Sequence, residues 1–541
     1  MQLSRRRYLS STLLYGGMAL LLTNQTAACA AAFDAVSVSV RQFGASGDGM
    51  RDDTVAFQRA HDSLSGGGTI IVPAGVYNVD KVLVRNRGIR VSLDAGATIR
   101  KLGSAGLASR GIFVLENLDN AKFELTGGTI DLNGEGPMGI GSAGRIPNLY
   151  ANQTIPSIVA LAGPTNAAIY ALETSGISVR GVSVANSGEN GLLFRNCADV
   201  VVDGCTFTNL ANYGVELSFI ERAPISRLRA SFTPGNTTVR NCRFSDIDDY
   251  GLGSGNGCGV GGGGAAGQPG GILVDSCTFE RCQRDVHFEM HAPGRAADIT
   301  VRRLQSIGAR QGSIGLVGVA RPVIENCQIR DAGSSPTAVL GAGFPEIYGI
   351  VLSGGSFSAA ITDVSIVDSR SIRTAIGRGS IARRSRTLTA GSATFEPGDV
   401  GRIIGIDRGN PGRVVYVGRI AEVVSATRAI LDLPAGADVR NGHFAIGGNT
   451  RNGVVMRGGQ RAAIARTTIA AGAIAEAGGE PAAAAVMLEN MATNVMFTET
   501  QISPPARARG APAGIRSRNA GYSLAGAGNK VTGFFENLPR P

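Results

Sequence analysis

Tryptophan is absent from the 541 residues, aromatic side chains make up only 5% of them, and charged residues only 17%. Lysine is confined to Lys81, Lys101, Lys122 and Lys530, so arginine carries most of the formal net charge of +10. No basic run is interleaved with aromatics, which argues against a nucleic-acid partner. No Cys-x-x-Cys and no histidine pair stands at ligand spacing, which argues against a zinc site. Low charge does not mean disorder here, because hydrophobic residues reach 43%. The 77 glycines fit a chain of many short strands broken by many turns. Arginine offers a planar fork that grips a carboxylate with two hydrogen bonds, so its excess fits an acidic, uronate-containing polysaccharide as partner. A genomic bias towards arginine codons would give the same composition.

The first thirty-two residues read as an export signal. Ser4-Arg5-Arg6-Arg7-Tyr8-Leu9 is followed by a short apolar stretch and then by the small residues Ala27 to Ala32. That stretch is too short to span a bilayer, so no transmembrane segment is expected. The paired arginines resemble the twin-arginine signal, which implies export across the bacterial inner membrane to the periplasm or beyond. An ordinary secretory signal is the alternative. Cys29 would be a site for lipid anchoring, but Thr26 stands where leucine is usual.

Residues 53–64 read as a short helix. Asp52 or Asp53 would cap it, Ala56, Phe57, Ala60 and Leu64 share one face, and Gly66-Gly67-Gly68 ends it. A short amphipathic helix suits the open end of a solenoid, where it covers apolar strand edges. Phe43-Gly44-Ala45-x-Gly47-Asp48-Gly49 leads into Asp52-Asp53-Thr54, and Pro73-Ala74-Gly75-x-Tyr77 follows the helix. This string resembles the start of the pectate-lyase-like superfamily, which includes rhamnogalacturonase- and epimerase-like proteins and phage tailspikes. The resemblance implies a single-stranded right-handed parallel β-helix. It leaves the chemistry open among lyases, hydrolases, epimerases and binding proteins. It also makes calcium a conceivable cofactor, although nothing in the sequence requires one. Asp48, Asp52 and Asp53 read as turn and cap residues.

From about residue 110 the chain repeats at roughly 20–25 residues, the mark of stacked supersecondary units. The clearest line is Val-x-x-Cys-x-Phe at Val202–Phe207, Val239–Phe244 and Val274–Phe279, with a looser copy at Ile324–Ile329. Stacking predicts an internal ladder of Cys205, Cys242, Cys277 and Cys327, read as small buried thiols. The glycine run from Gly251 to Gly271 contains a GxGxxG without a βαβ context, and reads as a flexible loop thrown off the solenoid. Between about 384 and 447 longer apolar runs replace the repeat, which predicts a small inserted antiparallel β module. The expected organisation is a signal over 1–32, β-helix over 33–383, the module over 384–447, and further coils over 448–541.

The segment Arg284-Asp285-Val286-His287-Phe288-Glu289-Met290-His291 is the richest in reactive side chains. Read as a strand, it places residues 285, 287, 289 and 291 on one outer face. Aligning coils by inward residues stacks Glu216, Gly253 and His287, and then Ser218, Gly255 and Glu289. Asp249 and Tyr250 fall just upstream. The candidate catalytic residues are therefore His287, Glu289, Asp249, Glu216, Arg284 and Tyr250. For β-elimination, His287 or Tyr250 would move protons and Arg284 would hold the substrate carboxylate. For hydrolysis, Asp249 with Glu289 or with Glu216 would flank the bond. The chain lacks the Gly-His-Gly and Arg-Ile-Lys motifs of polygalacturonase-type hydrolases, and Ile130-Asp131-Leu132-Asn133-Gly134 matches their Ile-Asp-Gly turn only loosely. It also lacks the Asp-Pro-His motif of alginate epimerases. β-Elimination therefore leads, with hydrolysis or non-catalytic glycan binding as alternatives.

Overall fold

The computed structural model describes residues 36–85, 87–102, 111–116, 122–133, 167–187, 189–219, 234–247, 257–264, 271–290, 298–333, 348–354, 358–370, 375–407, 414–435, 437–459, 461–472, 484–489, 494–504, 514–517, 522–524 and 528–532. The expected signal segment lies outside them, as do Asp249, Tyr250 and His291. Among the described residues no helix is long and apolar enough to cross a membrane.

Except at the two ends, each coil lays down one strand in each of three parallel sheets, called here A, B and C. Sheet A runs from Ser37–Ser39 to Tyr522–Leu524 in 14 strands, and sheet B from Asp48–Asp52 to Lys530–Val531 in 14. Sheet C holds 12, from Val82–Val84 to Ile515–Ser517. Every pairing in the three sheets joins one coil to the next, so like positions stack along the axis.

The turn from sheet A to sheet B explains the Val-x-x-Cys-x-Phe line. One residue per coil adopts left-handed backbone there: Gly181 (φ 60°), Gly204 (φ 64°), Asn241 (φ 54°), Ser276 (φ 54°), Arg303 (φ 51°), Asn326 (φ 54°), Asp363 (φ 56°), Arg466 (φ 47°) and Glu499 (φ 50°). Glycine, asparagine and aspartate reach that region at least cost. The kink inserts one residue and shifts the in–out phase. Val202 points inward, Gly204 turns, and Cys205 and Phe207 point inward again, all buried. Phe207, Phe244 and Phe279 stack at 4.9 and 4.7 Å with planes 6° apart. The cysteine ladder is consecutive from Cys205 through Cys242 to Cys277, but Leu304 separates Cys277 from Cys327. All seven described cysteines are buried and unbridged. Their thiols point at backbone carbonyls, such as Cys242 Sγ to the Arg240 oxygen at 3.1 Å.

The helix Thr54–Ser63 covers the open end, with Ala56, Phe57 and Ala60 buried and Phe57 edge-on to Tyr77 at 5.6 Å. Asp52 Oδ1 accepts from the Thr54 amide at 2.8 Å. The Asp53 carboxylate instead ties down the preceding loop, accepting from the Ser46 amide at 2.7 Å.

The inserted module is a closed six-stranded antiparallel barrel. It begins at Ala375–Ile381, nine residues before the expected boundary, and its last strand is Val439–Ile446. The first strand is poor in apolar side chains, and only its antiparallel pairing with the last identifies it. The barrel has its own core, including Leu388, Ile404, Tyr416, Leu431 and Phe444. It interrupts no sheet. Tyr348–Ser353 pairs directly with Asn452–Arg457, and Ser358–Thr362 with Arg461–Ala465.

The glycine run is the main departure from the sequence reading. Cys258–Gly264 is a strand of sheet C, paired with Tyr213–Ser218 on one side and Arg284–Met290 on the other. It carries too few side chains to show strand periodicity. A Cβ on Gly261 would lie 2.3 Å from the His287 carbonyl oxygen, so backbone proximity demands glycine there.

Candidate functional site on sheet C

Five successive strands of sheet C carry the site: Tyr213–Ser218, Cys258–Gly264, Arg284–Met290, Gly312–Val317 and Tyr348–Ser353. Their register stacks Glu216, Gly261, His287, Gly315 and Val351 in one outward row. A second outward row holds Ser218, Gly263, Glu289 and Val317, and a third Tyr213, Cys258, Arg284, Gly312 and Tyr348. The residues between Glu216 and His287, and between Ser218 and Glu289, are thus Gly261 and Gly263 rather than Gly253 and Gly255. Two strand spacings put Glu216 about 9–10 Å from His287 along the axis.

His287 is nearly buried, and its Nε2 lies 2.7 Å from Glu289 Oε1. Glu289 itself is about half exposed. A Cβ on Gly315 would sit 2.4 Å from His287 Nδ1, so the bare backbone of the next strand makes room for the imidazole. Glu216 accepts from Asn190 Nδ2 at 2.8 Å and from Ser218 Oγ at 2.7 Å. Burial is the largest influence on its carboxyl and holds the pKa above the usual range, against the pull of Ser218, Arg195 and Asn190. Burial likewise lifts the Tyr213 phenol well above its ordinary value. Negative charge at Cys258, Glu216 and Glu289 adds to the effect, and Arg284 opposes it.

Two guanidinium groups border these acids. Arg284 is partly buried beside Tyr213, and its Nε has no hydrogen-bond partner among the described residues. Arg195 lies on the strand Leu192–Arg195 with its Nε in the same condition and its guanidinium 5.7 Å from the Tyr170 ring centre. A guanidinium with a free Nε suits a bound anion. Apolar side chains flank the polar strip along the axis: Val114, Tyr170 and Leu193 on one side, and Tyr348, Val351 and Met487 on the other.

Of the six residues singled out from sequence, the structure brings Glu216, Arg284, His287 and Glu289 onto one face. Asp285 does not share it. It is fully buried and points into the solenoid, because the strand begins with two successive inward positions, Asp285 and Val286. Sequence reasoning missed Tyr213 as a member of the face, and also Asn190 and Arg195. Tyr213 lies on the strand of Glu216 itself, and Arg195 on the strand of the preceding coil that pairs directly with it. Among the described residues no three His, Cys, Asp or Glu side chains converge as a metal site.

Residues 167–380 match the family model described as the right handed beta helix region. A 117-residue stretch is 32% identical to plasmin and fibronectin-binding protein A of Streptococcus pneumoniae, covering 19% of this chain and 16% of that protein. A 43-residue stretch is 54% identical to mannuronan C5-epimerase AlgE5 of Azotobacter vinelandii, covering 8% of this chain and 4% of that enzyme. The chain therefore spans less than a fifth of the length of these curated relatives. Among solved structures, the surface adhesin PfbA of Streptococcus pneumoniae aligns over 92% of this chain and 98% of its own, at 15% identity and a TM-score of 0.47. The family 28 exopolygalacturonase of Yersinia enterocolitica aligns over 92% and 77%, at 13% identity and a TM-score of 0.42. Together with the three stacked parallel sheets, the family match over 167–380 establishes this chain as a right-handed parallel β-helix protein carrying an inserted antiparallel barrel.

Proposed function

We propose that this is an exported carbohydrate-active protein that cleaves a uronate-containing polysaccharide by β-elimination on the outer face of sheet C. The observation that carries the reading is that the His287–Glu289 pair shares the outer face with Arg284, whose Nε has no hydrogen-bond partner among the described residues. In this reading Arg284 holds the C6 carboxylate of a uronate residue and offsets charge as it develops there. His287, oriented by Glu289, takes the proton from C5. The C5–H electron pair forms the C4–C5 double bond, the C4–O4 bond breaks, and O4 leaves with a proton. Glu216 is suited to supply that proton, because burial keeps its carboxyl protonated to higher pH than usual. The short match to an enzyme named for mannuronan, a uronate polymer, agrees in substrate class.

Hydrolysis is the second reading. Glu216 as acid and Glu289 as base sit two strands apart on neighbouring outward rows, near the spacing of an inverting pair. The match to a plasmin- and fibronectin-binding protein makes adhesion the outcome if neither chemistry occurs.

Incubating the purified chain with a panel of polyuronates separates these readings. Elimination produces ultraviolet-absorbing unsaturated ends, hydrolysis produces reducing ends alone, and adhesion produces neither but retards the chain on an affinity gel. Under the elimination reading, His287→Ala and Glu289→Gln each lower turnover by about 10²–10⁴-fold. Arg284→Ala weakens binding of polyuronate, read as a dissociation constant, but not of its carboxyl-reduced form, which cannot undergo elimination. Full activity in both the His287 and Glu289 variants would refute the assignment.

A further inference from the structure

The interior of the solenoid follows a packing rule that one coil breaks. Where sheet C begins in each coil, a small residue faces a large one from sheet B. A Cβ on Gly191 would meet the Phe207 ring at 3.0 Å, one on Gly214 the Phe244 ring at 2.7 Å, and one on Gly259 the Phe279 ring at 2.4 Å. Further along, Gly349 faces Ile366 at 2.8 Å, and Gly453 faces Ile469 at 2.4 Å. In the coil after Phe279 both partners change together. Ser306 stands in the phenylalanine row and Asp285 in the glycine row. On the next strand of sheet C, Ser313 follows Asp285 in the same row.

The exchange places three polar side chains in a dry core. Asp285 is 0% exposed, Ser306 1% and Ser313 0%. Among the described residues no hydrogen bond of good geometry reaches either carboxylate oxygen of Asp285 or either serine hydroxyl, although both hydroxyls lie near enough to the carboxylate to pull its pKa down. The surroundings include Phe279, Val286, Phe288 and Ile314, all buried. Substituting a serine for a phenylalanine removes most of a ring's volume, and the aspartate refills only part of it. The three oxygen-bearing side chains converge there without a protein cation among them. An ionised carboxylate in such a place is costly unless a cation or a set of donors compensates it. Cys258 and Cys282 both feel the Asp285 charge, and neither thiol carries a positive charge to balance it. The Arg284 guanidinium lies on the outer row, across the strand.

We propose that Asp285, Ser306 and Ser313 form an occluded site inside the β-helix for one small monovalent metal cation. One carboxylate matches one positive charge, whereas a divalent ion would leave a net charge in the core. The carboxylate and the hydroxyls are hard oxygen ligands, which suit alkali ions over thiophilic metals although Cys258 and Cys282 are close. The site sits directly behind the strand that carries Arg284, His287 and Glu289. It owes nothing to the activity proposed for that strand.

The test is thermal unfolding of the full chain in chloride salts of Li⁺, Na⁺, K⁺ and choline at equal ionic strength. It is run at about pH 8, above the value of about 7 to which burial pushes Asp285. The wild-type Tm is expected to be several degrees higher in at least one alkali salt than in choline, rising with concentration. Asp285→Asn removes that dependence. Because this variant could also perturb folding, the double variant Asp285→Gly with Ser306→Phe restores the glycine–phenylalanine pair of the neighbouring coils. It is expected to fold and to unfold at the same temperature in all four salts. Identical wild-type transitions in all four salts would mean that a water or a shared proton satisfies the cage, and would overturn the proposal. So would an alkali dependence that persists in the double variant.

Discussion

Asp285 makes the stability of this protein depend on pH in the direction opposite to most carboxylates. Burial raises its pKa from 3.8 to about 7, while Ser306 and Ser313 pull it down only in part. Below about pH 4 the group is protonated in both folded and unfolded chains and contributes no pH dependence. Between about 4 and 7 the unfolded chain ionises and the folded chain does not, so stability falls as pH rises. Above about 7 both forms are ionised and the loss is complete. A shift of about 3 units at about 1.4 kcal/mol each puts that loss at roughly 4 kcal/mol. Other carboxylates run the other way. Asp203, Asp363 and Asp368 are held below their ordinary values, the first two mainly by hydrogen bonds and the last by Arg370, all against burial, and they stabilise the fold above those values. The contribution of Asp285 is therefore isolated by comparison with Asp285→Asn. Urea unfolding in choline chloride from about pH 4 to about pH 8 should show the wild type losing roughly 4 kcal/mol relative to the variant. Parallel curves for the two proteins would refute the argument. An alkali cation that binds only the ionised carboxylate should flatten the wild-type curve at its upper end.

Two further outcomes follow from the packing. Phe244 is stacked on both faces and Phe279 on one, so Phe244→Ala should cost about 3–5 kcal/mol and Phe279→Ala less, as read by chemical denaturation. An inverted order would mean that the stack does not govern the core. Gly261→Ala drives a Cβ against the His287 carbonyl oxygen, and should lower the Tm while displacing the strand that carries His287. An unchanged Tm would show that the two strands separate more easily than their spacing suggests.

Much of the solenoid is legible in the primary structure because its rules are local. The line Val-x-x-Cys-x-Phe is one strand end, one left-handed turn and one strand start, and each feature is set by the residues in the line. The capping helix shows itself by its apolar face, and its start by the Asp52-Asp53 pair, of which Asp53 is the N-cap residue and Asp52 accepts from the Thr54 amide. Three members of the outer face, Glu216, His287 and Glu289, are likewise visible as polar groups where alternation puts them outside, whereas Arg284 joins them only because Asp285 and Val286 both point inward. Two readings failed for a shared reason. Cys258–Gly264 has almost no side chains from which to read periodicity, and Ala375–Ile381 has few apolar ones. Each is a strand because its backbone bonds to a partner distant in sequence or on the next coil.

The amino-acid sequence by itself determined the coil: its repeat, its turns, its inward apolar rows and its capped end. Tertiary structure alone decided the register between coils, since that depends on loops of unequal length and on strands without side-chain pattern. Register in turn decided what the face contains. It brought Tyr213 and Arg195 beside Glu216, set His287 opposite glycines, and turned Asp285 inward to meet Ser306 and Ser313. Alternation predicts two faces for a strand. It cannot foresee a corner where two successive residues both point into the core.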